Sequence, residues 1–301
     1  MNSFTDLASM TAPENILTNV PLAGYTTFQA GGPCDVLVSP ENEAELSDIL
    51  RYHRERGIPY FVIGRGSDLL VSDSGYRGTV ISLRKHFLDA EIHSDTLVLG
   101  AGVLLSRAAE LALSASLEGL EFASGIPGTV GGAVRMNAGA YGREIRDCIL
   151  SADVLLPDGT LKTLSKEELK LSYRYSAVEE LQCIVLRARF LLAPADPLKI
   201  RSLMDELNGK RREKQPLELA SAGSTFKRPE GYFAGKLIQD AGLRGYRYGQ
   251  AGVSEKHAGF VVNYGGATAE EILHVIRHVQ KTVFEQFNVR LEPEVRFLGE
   301  F

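Results

Sequence analysis

Residues 124–142 read SGIPGTVGGAVRMNAGAYG, with six glycines (Gly125, Gly128, Gly131, Gly132, Gly139 and Gly142) among small residues and almost no charge. Glycine opens positive φ and lets main chain approach a ligand closely, at an entropic cost when the chain orders. A run this dense is not accounted for by an ordinary turn. It predicts backbone laid against something flat or phosphorylated, with main-chain N–H groups as donors.

A second loop pairs with the first. GRGSD (64–68) follows the apolar run YFVI, which reads as a buried strand, and superficially opens a dinucleotide fingerprint. The fingerprint's third glycine is missing, because Leu69 stands where GxGxxG needs small packing. Another apolar run and a turn at 72–75 follow in place of a crossover helix, which argues against a Rossmann frame. Backbone N–H groups and the Ser67 hydroxyl can meet phosphate charge without a basic residue; the plain alternative is a tight strand-to-strand turn. Two such loops in one domain predict a long ligand with its diphosphate between them. Asn137 offers a donor and an acceptor to a heterocycle edge. Tyr141 either stacks on a flat ring or fills a core or rim position.

A chain of 301 residues with 44% hydrophobic content is globular and long enough for two domains. Its net charge of −5 and lack of a long basic run argue against a general nucleic-acid binder. The densest basic cluster, KRREK at 210–214, reads as the solvated end of a helix. Cys34, Cys148 and Cys183 are widely spaced and indicate neither a disulfide framework nor a zinc site, so no metal is expected. No apolar run approaches membrane-spanning length and the first residues carry no basic n-region. A cytoplasmic protein without membrane contact is expected.

Residues 1–24 read as a leading arm with a short amphipathic piece before Pro21. Strand and helix then alternate: a strand at 35–38, a helix capped by Asn42 with Glu45 placed for a capping box, and a stop at Gly57 and Pro59. Further strands are predicted at 69–71, 79–83 and 96–102, a helix at 104–115, a hairpin around Pro157-Asp158-Gly159 and a strand at 183–192. The prolines of APADP (193–197) mark a boundary. Helices at 198–214, 234–241 and 269–287 and strands at 259–263 and 289–299 follow. The expected partition is an arm at 1–24, a first domain at 25–193 and a second at 194–301.

Three residues outside the glycine loops carry candidate chemistry. Arg174, in SYRYS (172–176), is either an exposed salt-bridging residue or a bidentate partner for a carboxylate. Ser224, in ASAGSTFKRP (220–229), lacks the GxSxG elbow and a patterned His–Asp pair, which argues against a hydrolase nucleophile. It is either a turn serine or a hydroxyl that hands a proton to a developing carbanion. Glu294 lies in LEPEVRFLG, read as a strand with Glu292, Glu294 and Arg296 on one face and Val295 and Phe297 on the other. It belongs to a solvated edge, or serves as proton relay or electrostatic partner.

In this order, GRGSDLLVSDSGYRG, SGIPGTVGGAVRMNAGAYG, SYRYS, GSTFKRP, AGKLIQDAGLRGYRYGQAGVSEKHAGFVVN and LEPEVRFLG resemble the UDP-N-acetylenolpyruvoylglucosamine reductase family. These flavoenzymes complete UDP-N-acetylmuramate for bacterial peptidoglycan. The resemblance runs from about Thr26 to Gly299. It implies an α+β protein: an FAD-binding domain of the vanillyl-alcohol-oxidase (PCMH) type, then an α+β substrate-binding domain. Noncovalent FAD would be held by Gly64, Arg65, Gly66, Ser67 and Asp68, and by Gly125, Ile126, Pro127, Gly128, Gly132, Asn137, Ala138 and Gly139. NADPH would reduce it, and the hydride would pass to the β-carbon of the enolpyruvyl ether of UDP-N-acetylglucosamine enolpyruvate. By motif, Arg174 and Glu294 would stabilise the resulting aci-carboxylate and Ser224 would protonate the α-carbon. Tyr173, Lys214, Lys227 and Arg228 would meet the UDP diphosphate or the substrate carboxylate.

Two departures from the family pattern stand out. Where the motif often continues Lys-Asn-Pro, this chain has Lys227-Arg228-Pro229. The stretch between SYRYS and Cys183 is short, resembling the class without an extra tyrosine-bearing loop, which implies a more open site. A monomer is expected. Two rivals stand beside this reading. Another FAD-dependent oxidoreductase of the same scaffold, acting on an alcohol or hydroxy acid, would need neither Ser224 nor NADPH. A non-catalytic nucleotide-binding module would be colourless, or yellow but inert.

Overall fold

Residues 6–301 are described by the structure, a computed structural model; the first five residues of the expected arm lie outside it. Residues of the arm form a strand, β1 (Ile16–Pro21). With β2 (Pro33–Val38), β3 (Tyr60–Ile63) and β5 (Tyr76–Ser82) it makes a four-stranded sheet of order β1-β2-β5-β3, while β4 (Leu69–Val71) pairs elsewhere. Between β2 and β3 runs α1 (Glu43–Arg56), where Asn42 Oδ1 accepts from Glu45 N at 3.0 Å and Gly57 ends the helix at φ 62°. Only half of the expected capping box forms, because the Glu45 carboxylate turns back to Glu41 N (2.9 Å). Leu46, Ile49 and Leu50 are buried on one face, as the 3–4 spacing requires.

Two compact units share the chain in interleaved fashion. The first comprises residues up to Thr18, Val36–Arg65 and Gly78–Lys210; the second comprises Asn19–Asp35, Gly66–Arg77 and Arg211–Phe301. A single break at 193–197 does not coincide with this division, and the 64–68 loop is divided between Arg65 and Gly66. Pairing explains the interleaving: β4 lies parallel to the C-terminal strand, Leu69 opposite Arg296, and Phe28 and Leu70 sit in the second unit's core.

In the first unit, β6 (Ala90–His93), β7 (Thr96–Gly100), β8 (Ile149–Leu155), β9 (Leu161–Ser165) and β10 (Ile184–Leu191) form an antiparallel sheet of order β9-β8-β10-β7-β6. Alternate residues Leu97, Leu99, Ala152, Val154, Ala188 and Phe190 face the core. That core also takes Ala108 and Ala112 of α2 (Leu105–Ser114), and Val130 and Val134 of α3 (Val130–Met136), which packs on β10.

The 18-residue helix α4 (Pro197–Lys214) carries the basic cluster at its exposed end. In the second unit β11 (Ala220–Ser221), β12 (Arg247–Tyr248), β13 (Ala251–Val253) and β14 (Val261–Asn263) form a sheet of order β11-β14-β13-β12. Alongside lie α5 (Ala234–Asp240) and α6 (Ala269–Phe287), whose Ile272, Val275, Ile276, Val279 and Val283 are buried. The predicted strand at 289–299 is mostly not one: only β15 (Arg296–Leu298) forms. Pro293 lacks a donor N–H and the chain bends at Glu294 and Val295, which breaks the two-residue period. Val295 is buried and Phe297 is 41% exposed, so they do not share the expected face.

Candidate active site

Within the first unit, Gly64, which opens the 64–68 loop, lies against Thr129 of the 124–142 stretch. A Cβ on Gly64, just after β3, would overlap Thr129 Oγ1, so glycine allows this close approach without moving the threonine side chain. Around Thr129 the backbone is pinned by Leu105 N to Gly128 O (3.1 Å), Val130 N to Val103 O (2.8 Å) and Gly131 N to Ala101 O (2.9 Å). The amides of Gly128 and Thr129 donate to no group among the described residues. Such donors at a glycine-lined helix entrance suit an anion. Sequence reasoning passes over Thr129, whose only signal is its place before a helix-starting run.

Asn137, expected at the ligand, is tied into the protein by its side chain. It ends α3 in the left-handed region (φ 43°, ψ 56°) and is wholly buried. Its Nδ2 donates to Glu144 Oε2 (2.8 Å) and to Ser172 O (3.0 Å), and its Oδ1 accepts from Arg146 N (2.9 Å). Both N–H groups and one lone pair of the oxygen are thus engaged inside the protein.

Ser172 and Tyr175 exchange backbone hydrogen bonds of 3.1 Å, which makes Tyr173 and Arg174 the corner of a two-residue turn. Arg174 sits at φ 55°, a position that favours glycine or asparagine. Its guanidinium lies 5.1 Å from the centroid of the Tyr173 ring, and that tyrosine is half exposed. Tyr141 is exposed and also has positive φ, so it is not a core residue.

In the second unit a run of backbone pairing joins Gly66–Asp68 to Glu294 and to the segment carrying Ser224. Gly66 has φ 61°; a Cβ there would overlap Tyr25 O, and Thr27 N donates to Gly66 O at 3.1 Å. The amides of Gly66 and Ser67 donate to no group among the described residues. Next to them, Asp68 O accepts from Arg296 N (2.7 Å). One step further, Glu294 N donates to Thr225 O (2.8 Å) and Lys227 N to Glu292 O (2.9 Å).

Ser224 is exposed while its neighbour Thr225 is wholly buried. Thr225 anchors the segment: its Oγ1 accepts from Val261 N (2.8 Å) and its N donates to Gly259 O (2.9 Å). Lys227 Nζ is paired with Glu292 at 2.5 Å, Arg228 lies 4.6 Å over the Phe233 ring, and Lys214 is exposed at the end of α4. His257, which sequence reasoning did not single out, accepts from Gly259 N at Nδ1 (3.0 Å), and burial holds its pKa below the usual value. Among the described residues no cluster of His, Cys, Asp and Glu could hold a metal ion.

In each unit, amides without a partner among the described residues stand in a glycine-containing loop, as suits an anionic group. Residues 33–165 match the family model described as FAD binding domain. A VAO-type flavoprotein from Myceliophthora thermophila C1 shares the fold, with a TM-score of 0.50 and 14% identity over 64% of this chain and 47% of that one. The class is thus an α+β protein with an FAD-binding domain, sharing its fold with a VAO-type flavoprotein.

Residues 215–298 match the C-terminal domain model of UDP-N-acetylenolpyruvoylglucosamine reductase. A UDP-N-acetylenolpyruvoylglucosamine reductase of Agathobacter rectalis is 53% identical over 298 residues, and one of Enterococcus faecalis 49% over 285, each alignment covering 95% of both chains. The crystal structure of UDP-N-acetylenolpyruvylglucosamine reductase from Thermus caldophilus superposes with a TM-score of 0.81 at 37% identity, covering 93% of this chain and 98% of that one. The chain belongs to the UDP-N-acetylenolpyruvoylglucosamine reductase family.

Proposed function

We infer that this protein is an NADPH-dependent FAD enzyme that reduces the enolpyruvyl group of UDP-N-acetylglucosamine enolpyruvate, giving UDP-N-acetylmuramate for peptidoglycan synthesis. The observation that carries this reading is the backbone run joining Gly66–Asp68, Glu294 and the Ser224 segment within a chain of this family. Bound FAD supplies a hydride, taken from NADPH, to the β-carbon of the enolpyruvyl ether. The amides of Gly66 and Ser67 in one loop, and of Gly128 in the other, would each offer donors to the cofactor, with the remaining residues of 64–68 and 125–139 shaping its bed. Asn137 contributes through its buried side chain.

Hydride addition leaves negative charge delocalised into the substrate carboxylate. Arg174 meets that charge with two parallel donors, and Glu294 shares a proton or hydrogen bond with the same group. The Ser224 hydroxyl protonates the α-carbon; an alcohol suffices because the acceptor is a strongly basic, carbanion-like centre. Thr225 holds Ser224 in place without taking part. Tyr173, Lys214, Lys227 and Arg228 meet the UDP group, Lys227 after leaving Glu292.

Along the chain the FAD domain is taken as 25–193 and the substrate domain as 194–301, with 1–24 leading, although Asn19–Asp35 and Gly66–Arg77 pack with the second unit. The protein is taken to act in the cytoplasm as a monomer; among the described residues no helix is long and apolar enough to cross a membrane. The test is flavin release. Purified protein is expected to be yellow, and denaturation is expected to free intact FAD. A folded, colourless preparation that cannot take up FAD contradicts the reading.

A further inference from the structure

We propose that Asn137 is the positioning residue for Arg174, its buried amide fixing the turn that presents the guanidinium. The inference rests on the assignment of Arg174 to the substrate carboxylate. A left-handed helix end needs only glycine or asparagine, so the cap alone does not call for an amide. The amide makes three hydrogen bonds, and its orientation is unambiguous: Nδ2 faces two oxygens and Oδ1 faces an N–H. Glu144, one of those partners, is itself held by the Arg146 guanidinium and through its own N–H to Asp147 Oδ2 (2.8 Å).

The second partner is decisive. Ser172 O opens the Tyr173–Arg174 turn and accepts from both Tyr175 N and Asn137 Nδ2. The other leg of the turn is fastened to the same helix, because wholly buried Ser176 donates from Oγ to Arg135 O (2.7 Å). Both legs therefore hang from the last turn of α3, and the corner between them holds an arginine at φ 55°. Non-glycine residues persist in that region when their surroundings over-determine it. Without the Asn137 bond the turn relaxes and the guanidinium swings, and a displacement of about 1 Å at a reacting centre costs on the order of 10²-fold in rate.

Asn137→Gly tests this cleanly, since glycine accepts the left-handed φ and removes only the amide. In the FAD-loaded enzyme, anaerobic stopped flow separates NADPH-driven bleaching from reoxidation by UDP-N-acetylglucosamine enolpyruvate. Bleaching and the flavin spectrum are expected to stay within about threefold of the parent, while reoxidation falls roughly 30- to 100-fold. Combined with Arg174→Ala, the loss is expected not to multiply, because the two residues act through one group. A normal reoxidation rate in Asn137→Gly, an equal fall in both half-reactions, or multiplicative losses overturn the proposal. Ser176→Ala, which loosens the other leg with Asn137 in place, is expected to show the same selective loss at smaller size, and a normal reoxidation rate there counts equally against it. A normal rate in Arg174→Ala overturns the assignment of Arg174 and this inference with it; a slow Arg174→Ala beside a normal Asn137→Gly overturns this inference alone.

Discussion

Ser224 and Thr225 are adjacent, yet their substitutions are expected to separate catalysis from stability. Ser224→Ala removes an exposed hydroxyl whose side chain makes no hydrogen bond among the described residues, so stability changes by no more than about 0.5 kcal/mol. If that hydroxyl supplies the proton, reoxidation of the reduced flavin by substrate slows 10²–10⁴-fold, roughly 2.7–5.4 kcal/mol on the barrier. Thr225→Val keeps the shape but removes the acceptor 2.8 Å from buried Val261 N. An unsatisfied buried donor costs about 1–3 kcal/mol, and the reaction slows only as far as the Ser224 segment shifts. Urea unfolding midpoints and anaerobic half-reaction rates on both variants give the comparison. Ser224→Ala as destabilised as Thr225→Val, or reoxidising at the parent rate, refutes the reasoning.

Gly66→Ala places a Cβ against Tyr25 O at φ 61°, a conformation costing about 1–2 kcal/mol for a non-glycine residue before any overlap is relieved. It is expected to purify with much of its flavin lost, read from the visible band against protein absorbance; full retention counts against this loop as a phosphate bed. His53 gives a pH signature. It is buried, bonds through Nδ1 to Ile49 O (2.7 Å), and its Nε2 has no partner among the described residues. Burial therefore lowers its folded pKa, so the unfolded chain takes up the proton first. Its contribution is complete above about pH 6.5 and declines as pH falls, by at most about 1.4 kcal/mol per pH unit. His53→Leu is expected to flatten urea stability between about pH 6.5 and 5, and an unchanged slope contradicts the assignment.

What was legible in the sequence was local. Asn42, Gly57 and the 3–4 spacing of Leu46, Ile49 and Leu50 mark α1 because caps and periodicity act over a few residues. Pro293 marked a break in the predicted 289–299 strand, but where the strand begins is decided by the pairing of β4 with β15, which the sequence does not show. Interleaving of the two units is hidden for the same reason, since a short apolar run such as LLV carries no mark of its partner. Arg174, Ser224 and Glu294 each looked ordinary alone and gained meaning from their order along the chain. The bonds of Asn137 were not legible either: an amide in a glycine-rich loop signals a ligand as readily as it signals Ser172 O, and its burial is not written in the local sequence.

The most direct measurement is an anaerobic two-step titration of the purified, flavin-loaded protein. NADPH is expected to bleach the yellow band, and stoichiometric UDP-N-acetylglucosamine enolpyruvate, added afterwards without oxygen, is expected to restore it with formation of UDP-N-acetylmuramate. A band that NADPH does not bleach, or that returns only when oxygen is admitted, would contradict the assignment.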